Sequence, residues 1–241
     1  MDLAGKNAVI TGGSGGIGGA ITNALIGKGV NVCLLSRNAD GVPTDIEAER
    51  SPKVVVATYR GDLASDADLG GFCEYVEEQM STVDILVHCA GAYHAGTVEE
   101  TPVEELDRLY RVNLRAPYFL TRAVLPKLKQ AQGQIVFINS STAINGKAKL
   151  SQYAATKSAL RALADSLRQE VNSYGVRVLT VFPGRTASKM QEEVHRMEGR
   201  FLDTRYLIQP PDIAEIVVKA LELPRSAEVT DINIRPFRKA L

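Results

Sequence analysis

Tryptophan is missing from this 241-residue chain, aromatic residues make up only 6% of it, and cysteine and histidine occur three times each. An odd number of cysteines, Cys33, Cys73 and Cys89, without C-x-x-C spacing, supports neither a disulfide framework nor a thiolate metal site. Cys33 and Cys89 lie in apolar strand-like runs, where a buried free thiol is the ordinary outcome. His88, His94 and His195 have no H-E-x-x-H or paired-ligand spacing, so zinc chemistry has no support and no metal is expected. Neither sign of charge is in excess, with 28 Lys+Arg against 28 Asp+Glu, which favours a small-molecule partner over nucleic acid or an anionic membrane. No apolar run approaches the ~18 residues needed to span a bilayer. Residues Met1 to Lys6 carry no basic-plus-apolar export signal, and a cytoplasmic protein is expected. No linker, charge run, low-complexity tract or repeat divides the sequence, so the simplest expectation is one domain over residues 1–241, large enough to bury a substantial core.

What is present is an alternation. Asn7–Thr11, Val30–Leu35, Val54–Tyr59, Ile85–His88, Ile135–Ser140, Val176–Phe182 and Val229–Ile234 read as short strands, several nearly all apolar, as strands covered on both faces must be. Between them run amphipathic helical patterns, such as Gly16–Gly27 and Gln152–Tyr174. This predicts an α/β fold with a doubly wound, seven-stranded parallel sheet and helices on both faces, which binds ligands beyond the C-terminal ends of its strands.

After the first of these strands comes Thr11-Gly12-Gly13-Ser14-Gly15-Gly16-Ile17-Gly18, a tight turn opening a helix. Glycines there permit positive φ and let backbone approach a pyrophosphate, which sits on the free N–H groups of the helix N-terminus. The same stretch spells G-x-S-x-G around Ser14, a hydrolase elbow, but too little chain precedes it to supply an oxyanion loop. A Walker A loop is excluded because no Gly-Lys-Ser/Thr follows. After the second strand, where an acid would select NAD, the chain offers Ser36-Arg37. Arg37 can meet a 2′-phosphate with charge-assisted hydrogen bonds, so NADP(H) is favoured over NAD(H), although an ordinary solvated loop cation would look the same.

Tyr153 and Lys157 stand at i,i+4 and share one helix face. A phenol with pKa near 10 is a poor base, and lowering it by three units takes about 4 kcal/mol of differential stabilisation, much of which a close cation in a desolvated cleft can supply. Tyr153 can then exchange a proton with a substrate oxygen while hydride moves at the adjacent carbon.

In order and spacing, the glycine turn, Asp62 in Gly61-Asp62-Leu63, Ala90-Gly91, Asn113, Ser140, Tyr153, Lys157 and Pro183-Gly184 resemble the classical short-chain dehydrogenase/reductase family over nearly the whole chain. The resemblance implies an NADP(H)-dependent oxidoreductase interconverting a carbonyl and an alcohol, with Tyr153 as general acid/base and Ser140, thirteen positions earlier, holding the substrate oxygen. It also implies that Lys157 lowers the tyrosine pKa and binds the nicotinamide ribose, and that Asn113 holds a relay water. Gly12, Ser14, Gly15, Gly16, Ile17, Gly18, Ser36, Arg37, Asp62, Leu63, Ala90, Gly91, Pro183, Gly184, Thr186 and Ser188 would join Tyr153 and Lys157 in holding the cofactor. Two positions depart from the pattern: His88-Cys89 replaces the usual Asn-Asn before Ala90, and Gly15 stands where NADP-dependent members often place a base. Outside the resemblance, Asn113 reads as a helix-interior polar residue and Asp62 as a turn carboxylate.

Residues 185–209 mix charged and apolar side chains and correspond to the family's substrate lid; Tyr93 and His94 would face the same cleft. The resemblance further implies a homodimer or homotetramer built on the helices carrying Asn113 and Tyr153. The competing readings are an NAD(H)-preferring dehydrogenase, a dinucleotide-binding sensor without turnover, which would have no use for Ser140, Tyr153 and Lys157 together, and dehydration or epimerisation on the same fold.

Overall fold

The computed structural model describes residues 1–37, 54–199 and 201–237; Arg200, within the expected lid, lies outside them. Seven parallel strands form one sheet: β1 (Asn7–Thr11), β2 (Asn31–Ser36), β3 (Val56–Arg60), β4 (Ile85–His88), β5 (Gln134–Ile138), β6 (Arg177–Pro183) and β7 (Asp231–Ile234). Their spatial order is β3-β2-β1-β4-β5-β6-β7, so the chain reverses its direction of travel between β1 and β4. In a doubly wound sheet that switch point, beyond the C-terminal strand ends, is where the ligand cleft belongs.

Alternating side chains feed two cores. Ala8, Ile10, Val32, Leu34, Val136, Ile138 and Val181 pack under α1 (Gly16–Gly27) and α7 (Pro210–Leu221). Val9, Cys33, Leu35, Leu86, Ile135, Phe137 and Val178 pack under α2 (Asp66–Gln79), α4 (Ala116–Ala131) and α5 (Ser151–Val171). The period-2 alternation of a strand and the stripe of an amphipathic helix are satisfied together only when both sheet faces are covered. The other α-helices among the described residues are α3 (Val103–Tyr110) and α6 (Lys189–Glu198), which follow the C-terminal ends of β4 and β6.

β1, β4 and α1 have the expected bounds, and the departures have local causes. Val30 donates to Leu25 O, closing the turn out of α1, so β2 starts one residue later and takes in Ser36, the register partner of Arg60. Ser140 leaves β5 because its hydroxyl caps the 3-10 turn Ser141–Ala143. The long helix ends at Val171, tightens to a 3-10 turn over Asn172–Tyr174 and stops at Gly175, φ 73°. At the edge, β7 starts at Asp231 and not at Val229. Cys33 is buried, and all three cysteines are free thiols. Among the described residues no helix is long and apolar enough to cross a membrane.

Candidate active site

The glycine turn is held by contacts that a side chain would break. A Cβ on Gly12, φ 70°, would lie 2.8 Å from the Ala90 backbone, and one on Gly18 would lie 2.1 Å from Gly12 O. These two glycines let β1, the turn and α1 close on the β4 end, where Thr11 Oγ1 accepts from the amides of Cys89 and Ala90 at 3.2 and 3.3 Å. By contrast, nothing lies within 4 Å of a Cβ on Gly15, and Gly16, φ 54°, meets only Ser188 at 3.4 Å, so the start of α1 presents bare backbone to the cleft. Ile17 packs into the core beneath. This is the surface a pyrophosphate requires.

Beside the turn, Ser14 Oγ and Ser36 Oγ are hydrogen-bonded at 2.7 Å. Arg37 follows, exposed. Strand register adds a residue that sequence reading missed: Arg60, opposite Ser36, lies on the same sheet face and is also exposed. Neither arginine has a hydrogen-bond or ion-pair partner among the described residues. Asp62 is half committed, with Oδ1 accepting from Ala64 N at 2.9 Å, and Leu63 packs against the core behind it.

The catalytic candidates converge from three elements. Tyr153 and Lys157, on the first turns of α5, are buried, as is Asn113; Ser140 lies at the end of β5. Thr142 donates to Ser140 Oγ through both its amide, at 3.2 Å, and its hydroxyl, at 2.8 Å. With its lone pairs so occupied, the Ser140 O–H is left to donate, and it is directed at the Tyr153 phenol. Lys157 Nζ donates to Ile138 O at 3.1 Å. The position a Cβ on Gly91 would take is 3.5 Å from Asn113 Oδ1 and 3.7 Å from Lys157 Nζ, so the loop after β4 runs beside both side chains.

Asn113 sits in a π-turn, Arg111–Arg115, between α3 and α4. Its side chain accepts from Ala92 N at 2.8 Å and donates to Ala92 O at 3.0 Å and to Thr156 Oγ1 at 3.1 Å. The amide thus pins the β4 loop to α5, and any hold on a water falls to the backbone. Asn139, also unremarked in the sequence, does the same from β5, donating to Lys157 O at 3.1 Å and accepting from Ser140 N at 2.9 Å. Buried polar side chains that bond distant backbone leave no local pattern; their only signal was position, at a strand end beside Ser140 and two residues beyond it.

Burial pushes the Tyr153 phenol up to about 12; hydrogen bonding to Ser140 opposes this and the nearby Tyr93 hydroxyl adds to it. Burial likewise pulls Lys157 down to about 8, countered by the Cys89 thiol. In this structure the group that lowers the tyrosine pKa is Ser140, while Lys157 Nζ donates to Ile138 O. Tyr93 sets its ring edge against Tyr153 with centroids 5.1 Å apart, whereas His94 turns to Glu105 at 3.4 Å.

The expected lid residues lie along the far wall. Gly184 N, just past Pro183, donates to Ile234 O at 2.7 Å, Thr186 Oγ1 donates to Gly184 O at 3.1 Å, and the Ser188 hydroxyl caps α6 by accepting from Gln191 N at 3.2 Å. His88, in the place of the family's usual asparagine, bonds Thr121 on α4 at 2.8 Å and stacks on Phe137; burial pulls its pKa down to about 3.

A family model described as short chain dehydrogenase matches residues 6–199. The chain belongs to the short-chain dehydrogenase/reductase family. Among its short-chain dehydrogenase relatives, an oxidoreductase of Staphylococcus saprophyticus is 30% identical over 238 residues, 98% of this chain and 99% of the relative. A metagenomic short-chain oxidoreductase solved in complex with NADP is 30% identical with a TM-score of 0.82, covering 99% of this chain and 100% of that one. A 3-ketoacyl-(acyl-carrier-protein) reductase from Brucella melitensis complexed with NADH, 24% identical with TM-score 0.83 over 97% and 98% of the two chains, shares the fold. The protein is a short-chain oxidoreductase with a Rossmann-type sheet.

Proposed function

We propose that this oxidoreductase interconverts a small-molecule carbonyl and its alcohol with NADP(H), using Tyr153 as general acid/base. The observation that carries the reading is the convergence of buried Tyr153, Lys157 and Asn113 with half-buried Ser140 beside an open glycine turn. The bare backbone at Gly15 and Gly16 and the cations near Ser36 fit a dinucleotide, which when bound supplies or accepts the hydride. Gly12, Ser14, Gly15, Gly16, Ile17 and Gly18 would hold its pyrophosphate, and Asp62, Leu63, Ala90 and Gly91 its adenosine side. Pro183, Gly184, Thr186 and Ser188 would cover the nicotinamide.

Ser140 donates to the substrate oxygen and fixes its position. Tyr153 gives that oxygen a proton in reduction and takes it in oxidation. Held near 12 by burial, the phenol is an acid in reserve, and a cation brought close would be needed to make it a base at neutral pH. Lys157 is the cation in reach, one helical turn away, and would also bind the nicotinamide ribose. Asn113, with its side chain spent on Ala92 and Thr156, would hold a relay water through its backbone. NADP(H) is preferred over NAD(H) because Arg37 and Arg60 flank Ser36 and would meet a 2′-phosphate with charge-assisted hydrogen bonds. A cytoplasmic homodimer or homotetramer completes the reading.

NADPH oxidation against a panel of ketones, aldehydes and quinones, with NADH in parallel, tests it. Turnover in the wild type that Tyr153→Phe removes supports the assignment; equal turnover in the variant would sink the role of Tyr153, and a preference for NADH would sink that of the arginines.

A further inference from the structure

The ring of Tyr153 belongs to neither of the two cores that flank the sheet. It packs into a small third cluster with Ala92 and Tyr93 from the loop after β4, Leu109 from α3 and Val112 from the π-turn. Tyr93 meets it in a T-shaped pair, centroids 5.1 Å apart and planes at 64°. In that arrangement the positive edge of one ring lies against the negative face of the other, so the contact has a preferred angle as well as a preferred distance. The loop that carries Tyr93 is fastened on each side of it. Asn113 accepts from Ala92 N at 2.8 Å and donates to Ala92 O at 3.0 Å, and Arg108 Nη2 donates to Tyr93 O at 3.2 Å. Glu105 holds that guanidinium at 2.7 Å and meets His94 at 3.4 Å, while Gly96 N donates to Lys149 O at 2.9 Å. A braced loop thus sets one half-buried ring against another that lies deeper.

We propose that Tyr93 is the positioning residue of Tyr153, its ring fixing the angle at which the catalytic phenol meets the substrate oxygen. The inference rests on the reading of Tyr153 as general acid/base. A tyrosine side chain turns about two torsions, and a proton donor has to stay within hydrogen-bond reach of the atom it serves, so a neighbour that holds the ring contributes to rate without touching substrate. The Tyr93 hydroxyl acts as well, adding to the effect of burial in favouring the protonated phenol. Around that phenol, Ser140 at the end of β5 opposes the shift, Lys157 lies one turn on along α5, and α3 contributes the apolar Leu109 while its Glu105 and Arg108 are paired with each other.

Tyr93→Ala and Tyr93→Phe separate the ring from its hydroxyl. Tyr93→Ala should lower kcat and kcat/KM together by roughly ten- to a hundredfold, with KM and the Kd of NADPH within about twofold, because a misplaced donor costs rate and not binding. Tyr93→Phe keeps the ring contact and should recover most of that loss. It should also shift the pH profile of alcohol oxidation, which needs phenolate: the hydroxyl raises the phenol pKa, so its removal lets the rate rise at a lower pH than in the wild type. A raised KM with kcat unchanged in Tyr93→Ala makes Tyr93 a substrate wall and overturns the proposal; a Tyr93→Phe protein as slow as Tyr93→Ala makes the hydroxyl a reacting group and equally overturns it. A second measurement needs no turnover: carbon-13 NMR of protein labelled at tyrosine Cζ, the Tyr153 signal being the one lost in Tyr153→Phe. Titration that starts at a lower pH in Tyr93→Phe than in the wild type supports the pairing, and an unmoved titration overturns it. A Tyr153→Phe enzyme as fast as the wild type would overturn the acid/base reading, and the use of the pair with it, whatever the titration shows.

Discussion

At one end of the cleft Tyr153, Lys157 and Asn113 are buried, and Ser140 beside them is tied at both amide and hydroxyl; at the other, Arg37 and Arg60 are exposed and have no partner among the described residues. Polar groups at the first end are cross-braced: Asn139 and Asn113 spend their amides on backbone, and Thr142 spends its hydroxyl on Ser140. Under the proposed function, the difference follows from what each end would have to do. Proton transfer requires groups held within hydrogen-bond reach and in low dielectric, so the protein gives up solvation there for fixed geometry. Selecting a phosphate over a hydroxyl requires only net positive potential, which exposed guanidinium groups provide under solvent screening.

Removing the proton at the braced end should have the largest effect. Tyr153→Phe is expected to cut kcat by roughly 10²–10⁴ while leaving cofactor Kd within about twofold, measured by single-turnover kinetics and titration. Next comes acid sensitivity of the buried half. His88 has a folded pKa of about 3, below its ordinary 6.5, so its neutral form carries full stability above pH 6.5, and stability is lost as pH falls from there towards 3. At about 1.4 kcal/mol per unit, denaturant melts at pH 7 and pH 4.5 should show about 2–3 kcal/mol more acid loss in the wild type than in His88→Asn; identical losses would remove His88 from the account.

At the exposed end, Arg37→Asp should move the NADPH-to-NADH affinity ratio about tenfold or more towards NADH, and the wild-type preference should shrink with added salt. Unchanged relative affinities would remove the contrast between the two ends. Thr142→Val leaves Ser140 one donor short and should slow kcat by roughly two- to tenfold, with the cofactor ratio untouched. Smallest is Arg60→Gln, a shift of a few-fold in the same ratio as Arg37→Asp; no shift would assign the phosphate to Arg37 alone.

How far the sequence could be read depends on the reach of each interaction. β1, α1 and β4 were legible to the residue because apolar periodicity and a glycine turn are local signals. Positions such as Ser140, Tyr153 and Lys157 were legible through order and spacing, and the structure does bring them together. Arg60 was not, since its nearness to Ser36 exists only once β2 and β3 pair. Nor was the orientation of α6, which buries the polar Gln191–His195 pair together with Val194 and leaves Met190 and Met197 partly exposed. The π-turn at Asn113 is equally silent, as Arg111–Arg115 reads like any helical stretch.

That turn also makes the long helix a device of phase. From Val103 to Ala131 the chain never leaves helical geometry, yet α3 must aim Leu109 at Tyr153's cluster while α4 aims Leu120, Val124 and Leu128 at the sheet. The extra residue of the π-turn supplies the angular offset between the two faces, about 100°. Deleting any one residue from 111–115 would restore an unbroken α-helix and so put the two faces out of step: a shorter, more regular helix would turn either the sheet's cover or the tyrosine's neighbour towards water.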